Sequence, residues 1–139
     1  MMEQTRIHPE TGRQLRRDVR PMTISYAAYS RTLPVPGWYP EDAGDAVHDG
    51  DDLTDVDAAI ASMRAEYATD LRRLRRSLKL SQQDAGRIFG GGKRAFQKYE
   101  AGAMAPSEAA VGLIELVRHD PSMIEVLKRL PGRAIHTAP

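Results

Sequence analysis

LKLSQQDAGRIFGGGKRAFQKYEAGAMAPS, residues 78–107, is the stretch on which the fold turns. Ser81 is a good N-cap for a helix running to Phe89, because its hydroxyl accepts an amide proton that a helix start leaves unbonded. Gly90-Gly91-Gly92 must then be a turn, since three successive glycines are more permissive than a helix tolerates. A second helix is predicted from Lys93 to about Ala101, with Gly102 as its stop. Along it Phe96 and Tyr99 lie three apart and face inward, leaving Lys93, Arg94, Gln97 and Lys98 on the opposite side. Two short helices across a tight glycine turn have the spacing of a helix-turn-helix, whose second helix reads DNA. Those four polar side chains are long enough to reach base edges. Gly86 is small where the two helices cross, and Gln82 and Gln83 stand at a helix start whose free amides attract phosphate.

Working outward, Pro106 and Ser107 open another helix with Ala110, Val111, Ile114 and Val117 inward, and Pro121 to Leu130 make a last one around Ile124 and Leu127. On the other side, Leu71, Leu74 and Leu78 form an apolar stripe surrounded by Arg72, Arg73, Arg75, Arg76 and Lys79. Residues 69–130 are therefore a predicted five-helix helix-turn-helix domain, with Arg72 and Arg73 as phosphate contacts and 131–139 as a flexible tail. The competing reading, a plain helical bundle with a solvated face, gives no reason for a basic exposed side on this helix in particular.

Upstream, Val56, Ile60, Met63 and Tyr67 share one helical face, and Thr54 suits the start of a connecting helix over 54–68, with Asp55 and Asp57 at its positive end. Residues 40–53 lack periodicity and read as loop. Met22 to Tyr26 alternates with period two, and Ser30 to Val35 fits its hairpin partner around Ala27-Ala28. Pro34, Pro36 and Pro40 confine that pairing to a sheet edge or end it. Residues 1–53 thus form a small β-rich domain for a partner, and the fold class is α+β.

Length and charge agree with that division. A chain of 139 residues suits one ordinary domain or two small ones. Residues 1–40 carry a charge of +3, 41–68 of −8 and 69–139 of +6, which sum to the formal +1. An acidic middle joined to a basic C-terminal half points to a polyanion for the latter, with nucleic acid the first candidate. The zero cysteine count excludes disulfides, thiolate zinc and a cysteine nucleophile. No cofactor is expected, and no metal: His8, His48, Asp49, Asp51 and Asp52 match no tetrahedral spacing. No window approaches the roughly 18 apolar residues of a membrane span, so a soluble cytoplasmic protein without a membrane partner is expected.

An enzyme is not expected. Asp49, Asp51 and Asp52 beside His48 are the densest candidate for a metal-dependent nuclease, but consecutive loop aspartates diverge in direction and no lysine stands near to hold a phosphate. A pseudo-palindromic operator needs two recognition helices about 34 Å apart, so a dimer is predicted. Ile114, Val117, Met123, Ile124 and Leu127 exceed what the helical core should need and are assigned to that interface; filling the core is their alternative use.

The stretch that opened this reading also resembles a family. It is similar to the Xre/Cro-type helix-turn-helix, and FGGG-x-x-AF-x-x-YE-x-G, residues 89–102, resembles the C-terminal domain of MqsA-type antitoxins of type II toxin-antitoxin modules. HPETGRQLRRDVRP from His8, with PGWYP and VHDG, resembles the N-terminal domain of relatives of that antitoxin. The resemblance implies a dimer whose C-terminal domain represses its own operon while the N-terminal domain neutralises an mRNA-cleaving toxin. It implies base reading at Arg94 and Lys98. The better-known members hold their N-terminal domain around zinc with two cysteine pairs; here the cysteines are absent, and Pro40 follows Trp38-Tyr39 where one would stand. The acidic run Glu41 to Asp57 has a use in this setting, since a ribonuclease needs a cationic surface for RNA. A stand-alone regulator without a toxin is the alternative.

Overall fold

The computed structural model describes residues 4–133, so 134–139 of the expected tail lie outside the described residues. Three strands make one sheet in the order β1 (Thr5–Ile7), β2 (Gln14–Tyr26), β3 (Tyr29–Tyr39). β1 and β2 run antiparallel with Thr5 opposite Arg16, Arg6 opposite Leu15 and Ile7 opposite Gln14. β2 turns into β3 at Ala27-Ala28, as the alternation predicts, with Ala27 at φ 53° supplying the left-handed residue that a tight hairpin demands.

The strands are longer than the predicted 22–26 and 30–35, and they run through Pro21, Pro34 and Pro36. Sheet geometry accounts for the latter two. The Trp38 N–H donates to the Val47 carbonyl at 2.8 Å, on the side away from β2. Pro34 and Pro36 share the parity of Trp38, so the N–H each lacks would also have pointed away from β2, and no ladder bond is lost. The same bridge ties Val47, in the expected loop, to the sheet.

The expected connecting helix and the basic helix after it are one element, α1 (Thr54–Ser77). Val56, Ile60, Met63, Tyr67, Leu71, Leu74 and Leu78 keep a spacing of three or four throughout, and no Gly or Pro interrupts them. α2 (Gln82–Phe89) follows, capped as predicted by Ser81, whose Oγ accepts the Asp84 N–H at 3.0 Å. α3 (Ala95–Glu100) is shorter than the predicted 93–101, because the left-handed run Gly90, Gly91, Gly92 delays the helix and leaves Lys93 and Arg94 in the turn. α4 (Glu108–His119) is capped by Ser107. A 3₁₀ turn at Pro121–Met123 leads into α5 (Ile124–Lys128), and Pro131–Arg133 form a further 3₁₀ turn where the tail was expected to begin.

The chain divides into two compact units: one built from residues up to Ser25 and Ser30–Ala61, the other from Tyr26–Tyr29 and from Ser62 onward. In the first, Leu15, Ile24, Val35, Tyr39 and Val56 are buried together with the polar His8 and Asp52. In the second, one continuous apolar cluster joins Tyr67, Leu71 and Leu74 of α1 to Ile88 and Phe89, Phe96 and Tyr99, Ile114 and Val117, Ile124 and Leu127. Tyr26 and Tyr29 meet Tyr67 edge-on at 6.1 and 5.5 Å between ring centres. The α2–α3 crossing admits no side chain at Gly86, where a Cβ would lie 1.9 Å from the Gly92 carbonyl oxygen.

Candidate nucleic-acid interface

α3 is anchored from inside and polar outside. Phe96 and Tyr99 are buried, with the Phe96 ring tilted against Phe89 and edge-on to Tyr99, at 5.7 and 5.4 Å between ring centres. Lys93, Arg94, Gln97 and Lys98 are all exposed, as the spacing predicts, the first two in the turn and the second two on the helix. The helix is short, so its orientation needs a further tie, and Glu100 provides it. The Glu100 side chain is 1% exposed and accepts two hydrogen bonds from Arg75 of α1, at 2.7 and 2.9 Å. Gln82 of α2 donates to it at 3.4 Å, and Arg72 approaches it at 3.5 Å. Burial alone would push the Glu100 carboxyl up, yet the hydrogen bonds from Arg75 and Gln82 hold it below the usual carboxylate range. Arg75 also donates to the Leu80 carbonyl at 3.0 Å, so one guanidinium joins α1, the α1–α2 corner and the end of α3.

Among the predicted phosphate contacts, Gln83, Arg72 and Arg73 are exposed, whereas Gln82 is half-buried and spent on Glu100. The residues assigned to a dimer interface divide differently. Ile114, Val117, Ile124 and Leu127 belong to the interior of this chain, because they lie on the inward stripes of α4 and α5, and Met123 is the one of the five that is exposed. The apolar side chains those helices turn outward are Leu116, Met123 and Val126, with Leu130 just beyond.

Glu100 and Arg75 are absent from the sequence-based site, though both left a signal: Arg75 falls on the Leu71–Leu78 stripe and Glu100 beside Tyr99, each a charge on an inward face. The other unforeseen feature is in the first unit. The loop 40–53 is stitched to the sheet by charge. Arg17 clasps Asp52 through two bonds of 2.9 and 2.8 Å, Arg6 pairs with Asp49, and Arg13 with Asp42 at 2.7 Å. Arg6 and Arg17 also stand over the Trp38 ring, at 5.4 and 5.2 Å. Hydrogen bonds from Arg17, with one from the Asp49 N–H, draw the Asp52 carboxyl down to about 2. Three of the acids in the run 41–57 are thus neutralised within the chain; Glu41, Asp45, Asp51, Asp55 and Asp57 are exposed.

The family model for the antitoxin component of bacterial toxin-antitoxin systems, MqsA, matches residues 9–128, which include the sheet, the glycine turn and α3. The chain belongs to this antitoxin family. It is 31% identical to antitoxin MqsA of Escherichia coli (strain K12) over 78 residues, which cover 55% of this chain and 60% of that relative. The alignment therefore spans about three fifths of the relative's length. The zinc implied by the family resemblance does not suit the donors here. His8 Nδ1 is already an acceptor for the Glu10 and Thr11 amides at 3.0 and 3.2 Å, His48 Nδ1 lies 3.0 Å from the Pro36 carbonyl, and Asp49 and Asp52 are engaged by arginines. Among the described residues no three His, Cys, Asp or Glu side chains converge on a metal position, and no helix is long and apolar enough to cross a membrane.

Proposed function

We propose that this antitoxin-family chain binds operator DNA through its helical unit as a homodimer, represses its own operon, and neutralises a ribonuclease toxin through its N-terminal unit. The observation that carries the DNA reading is α3 with the turn that leads into it: an apolar underside locked into the core, a buried carboxylate fixing its end, and an exposed side on which Lys93 and Arg94 of the turn join Gln97 and Lys98 of the helix. Arg94 and Lys98 suit guanine O6 and N7, and Gln97 suits the adenine edge. Gln83, Arg72 and Arg73 supply sequence-independent phosphate contacts. Leu116, Met123, Val126 and Leu130 are the surface for a second copy, exposed by 56, 42, 54 and 40%.

Binding of a duplex taken from upstream of the chain's own reading frame tests the DNA half of this proposal. Affinity should fall steeply with salt, each neutralised phosphate adding about −0.9 to the slope of log K against log[salt]. Met123→Glu should give a folded monomer in sedimentation, with operator affinity lost and non-specific binding retained. The toxin half is tested by co-purification with the product of the adjacent reading frame, where exposed Glu41, Asp45 and Asp51 are available to a cationic RNA-holding surface. The internal pairing of Asp42, Asp49 and Asp52 favours the second reading, a stand-alone regulator, to the extent that it removes charge from that surface; DNA binding without capture of a neighbour-encoded protein would establish it.

A further inference from the structure

We propose that Lys79, at the corner between α1 and α2, is a contact to the DNA phosphate backbone; the inference rests on the DNA-binding reading of the helical unit and adds a residue to it. After Ser77 the chain closes α1 by a reversal in which the Lys79 N–H donates to the Arg76 carbonyl at 3.0 Å and the Leu80 N–H reaches back to the Arg75 carbonyl at 3.2 Å. Such a closure satisfies the last carbonyls of a helix and needs a left-handed residue, for which glycine is the ordinary choice. Lys79 occupies it at φ 57°. Elsewhere among the described residues the left-handed positions fall to glycine, with Ala27 the other exception. An L side chain in this conformation costs about 1 kcal/mol.

Among the described residues no side-chain contact of Lys79 offsets that cost. Lys79 is exposed, and among the described residues its ammonium makes no hydrogen bond or ion pair. Arg76, one helical turn earlier and also exposed, has no carboxylate partner among the described residues either. The buried acid close to this corner, Glu100, is saturated by Arg75, Arg72 and Gln82. Two exposed cations three residues apart, without a partner among the described residues, leave positive charge that a polyanion can neutralise. The corner is also carried on the same frame as the reading face. Arg75 binds both the Leu80 carbonyl, next to Lys79, and Glu100, two residues beyond Lys98. A lysine is a point charge with three donors on a flexible stem, which suits a phosphate oxygen and makes no demand on base sequence.

The test compares the full-length protein with Lys79→Gly, Lys79→Gln and Lys79→Arg, by thermal unfolding and by binding to the upstream duplex and to a random-sequence duplex over a salt series. Lys79→Gly should melt higher than wild type yet bind both duplexes more weakly by the same factor, about five- to ten-fold near 0.1 M salt, with the salt slope shallower by about 0.9. Lys79→Gln should lose the same affinity without the gain in stability, which separates charge from backbone. Lys79→Arg should bind as wild type does. Wild-type affinity in both Lys79→Gly and Lys79→Gln overturns the proposal while leaving the DNA-binding reading intact, and so does a loss confined to the upstream duplex. Absence of salt-dependent binding by the wild type sinks that reading and this proposal together.

Discussion

The sheet unit and the helical unit are held by different physics. In the helical unit, side chains from all five helices interlock in one apolar cluster, and the charged group inside it, Glu100, is matched bond for bond by Arg75. In the sheet unit the buried apolar residues are few, and the loop 40–53 is fixed by Arg6–Asp49, Arg13–Asp42 and Arg17–Asp52 and by two guanidiniums over Trp38. A small β unit without disulfides needs another fastening, and here arginine supplies one. Apolar packing of the first kind withstands acid and salt, and acid reaches that unit through Glu100, whose lowered carboxyl pairs with Arg75; fastening of the second kind is exposed to both.

The largest expected effect breaks the helical unit at its polar joint. Arg75→Ala leaves a nearly inaccessible carboxylate without its two strongest donors, and helix-monitored unfolding should show a loss of about 3–5 kcal/mol. A loss under about 1 kcal/mol would mean that the apolar cluster alone orients α3. Gly86→Ala comes next, since the added carbon collides with backbone rather than with a side chain that can move aside. Its cost should lie at the upper end of the about 1–3 kcal/mol that overpacking produces, again in the helical signal.

The sheet unit can be followed separately, because Trp38 is the chain's single tryptophan. In the folded chain the Asp52 carboxyl titrates at about 2, below the roughly 3.9 of an unfolded aspartate. Its contribution is therefore complete above about pH 4 and is lost as pH falls toward 2. Asp42, held low by Arg13, acts in the same direction. Trp38 emission should change across that window, and Asp52→Asn should display the acid-type emission already at neutral pH. Emission that is flat to pH 2 would show that the arginine clasp is not what holds the loop. Smallest of all is the effect of a chelator: with no donor set for zinc among the described residues, unfolding by either signal should be unchanged by EDTA, and one zinc per chain in untagged protein would contradict this.

Sequence periodicity made the helical unit legible because its information is local. Ser81, the glycine triplet and the Phe96/Tyr99 spacing each act within a turn or two of themselves, so the caps, the turn and the exposed polar residues around α3 are legible in the sequence. What escaped were the facts that depend on partners distant in sequence. Arg17 and Asp52 are 35 residues apart, Arg6 and Asp49 are 43 apart, and no pattern in either segment announces the other. The pairing of Asp42, Asp49 and Asp52 within the chain is therefore not legible in the acidic loop. Pro34 and Pro36 obscured the length of β3 because their consequence depends on which way Trp38 faces. The assignment of Ile114, Val117, Ile124 and Leu127 to a dimer surface rested on counting apolar residues, and a count does not show how much core five helices and the Tyr26–Tyr29 turn have to fill.

The proposal that Arg94 and α3 read bases while the end of α1 holds phosphates is tested most directly by fluorescence anisotropy of Arg94→Ala and Arg73→Ala on two duplexes. One duplex is taken from upstream of the reading frame and the other has random sequence. Arg94→Ala should lose about 1–3 kcal/mol, or roughly 5- to 150-fold, on the upstream duplex and little on the random one. Arg73→Ala should weaken both alike, with a shallower salt dependence. Equal losses on the two duplexes for Arg94→Ala would contradict the claim and leave α3 as one more cationic face.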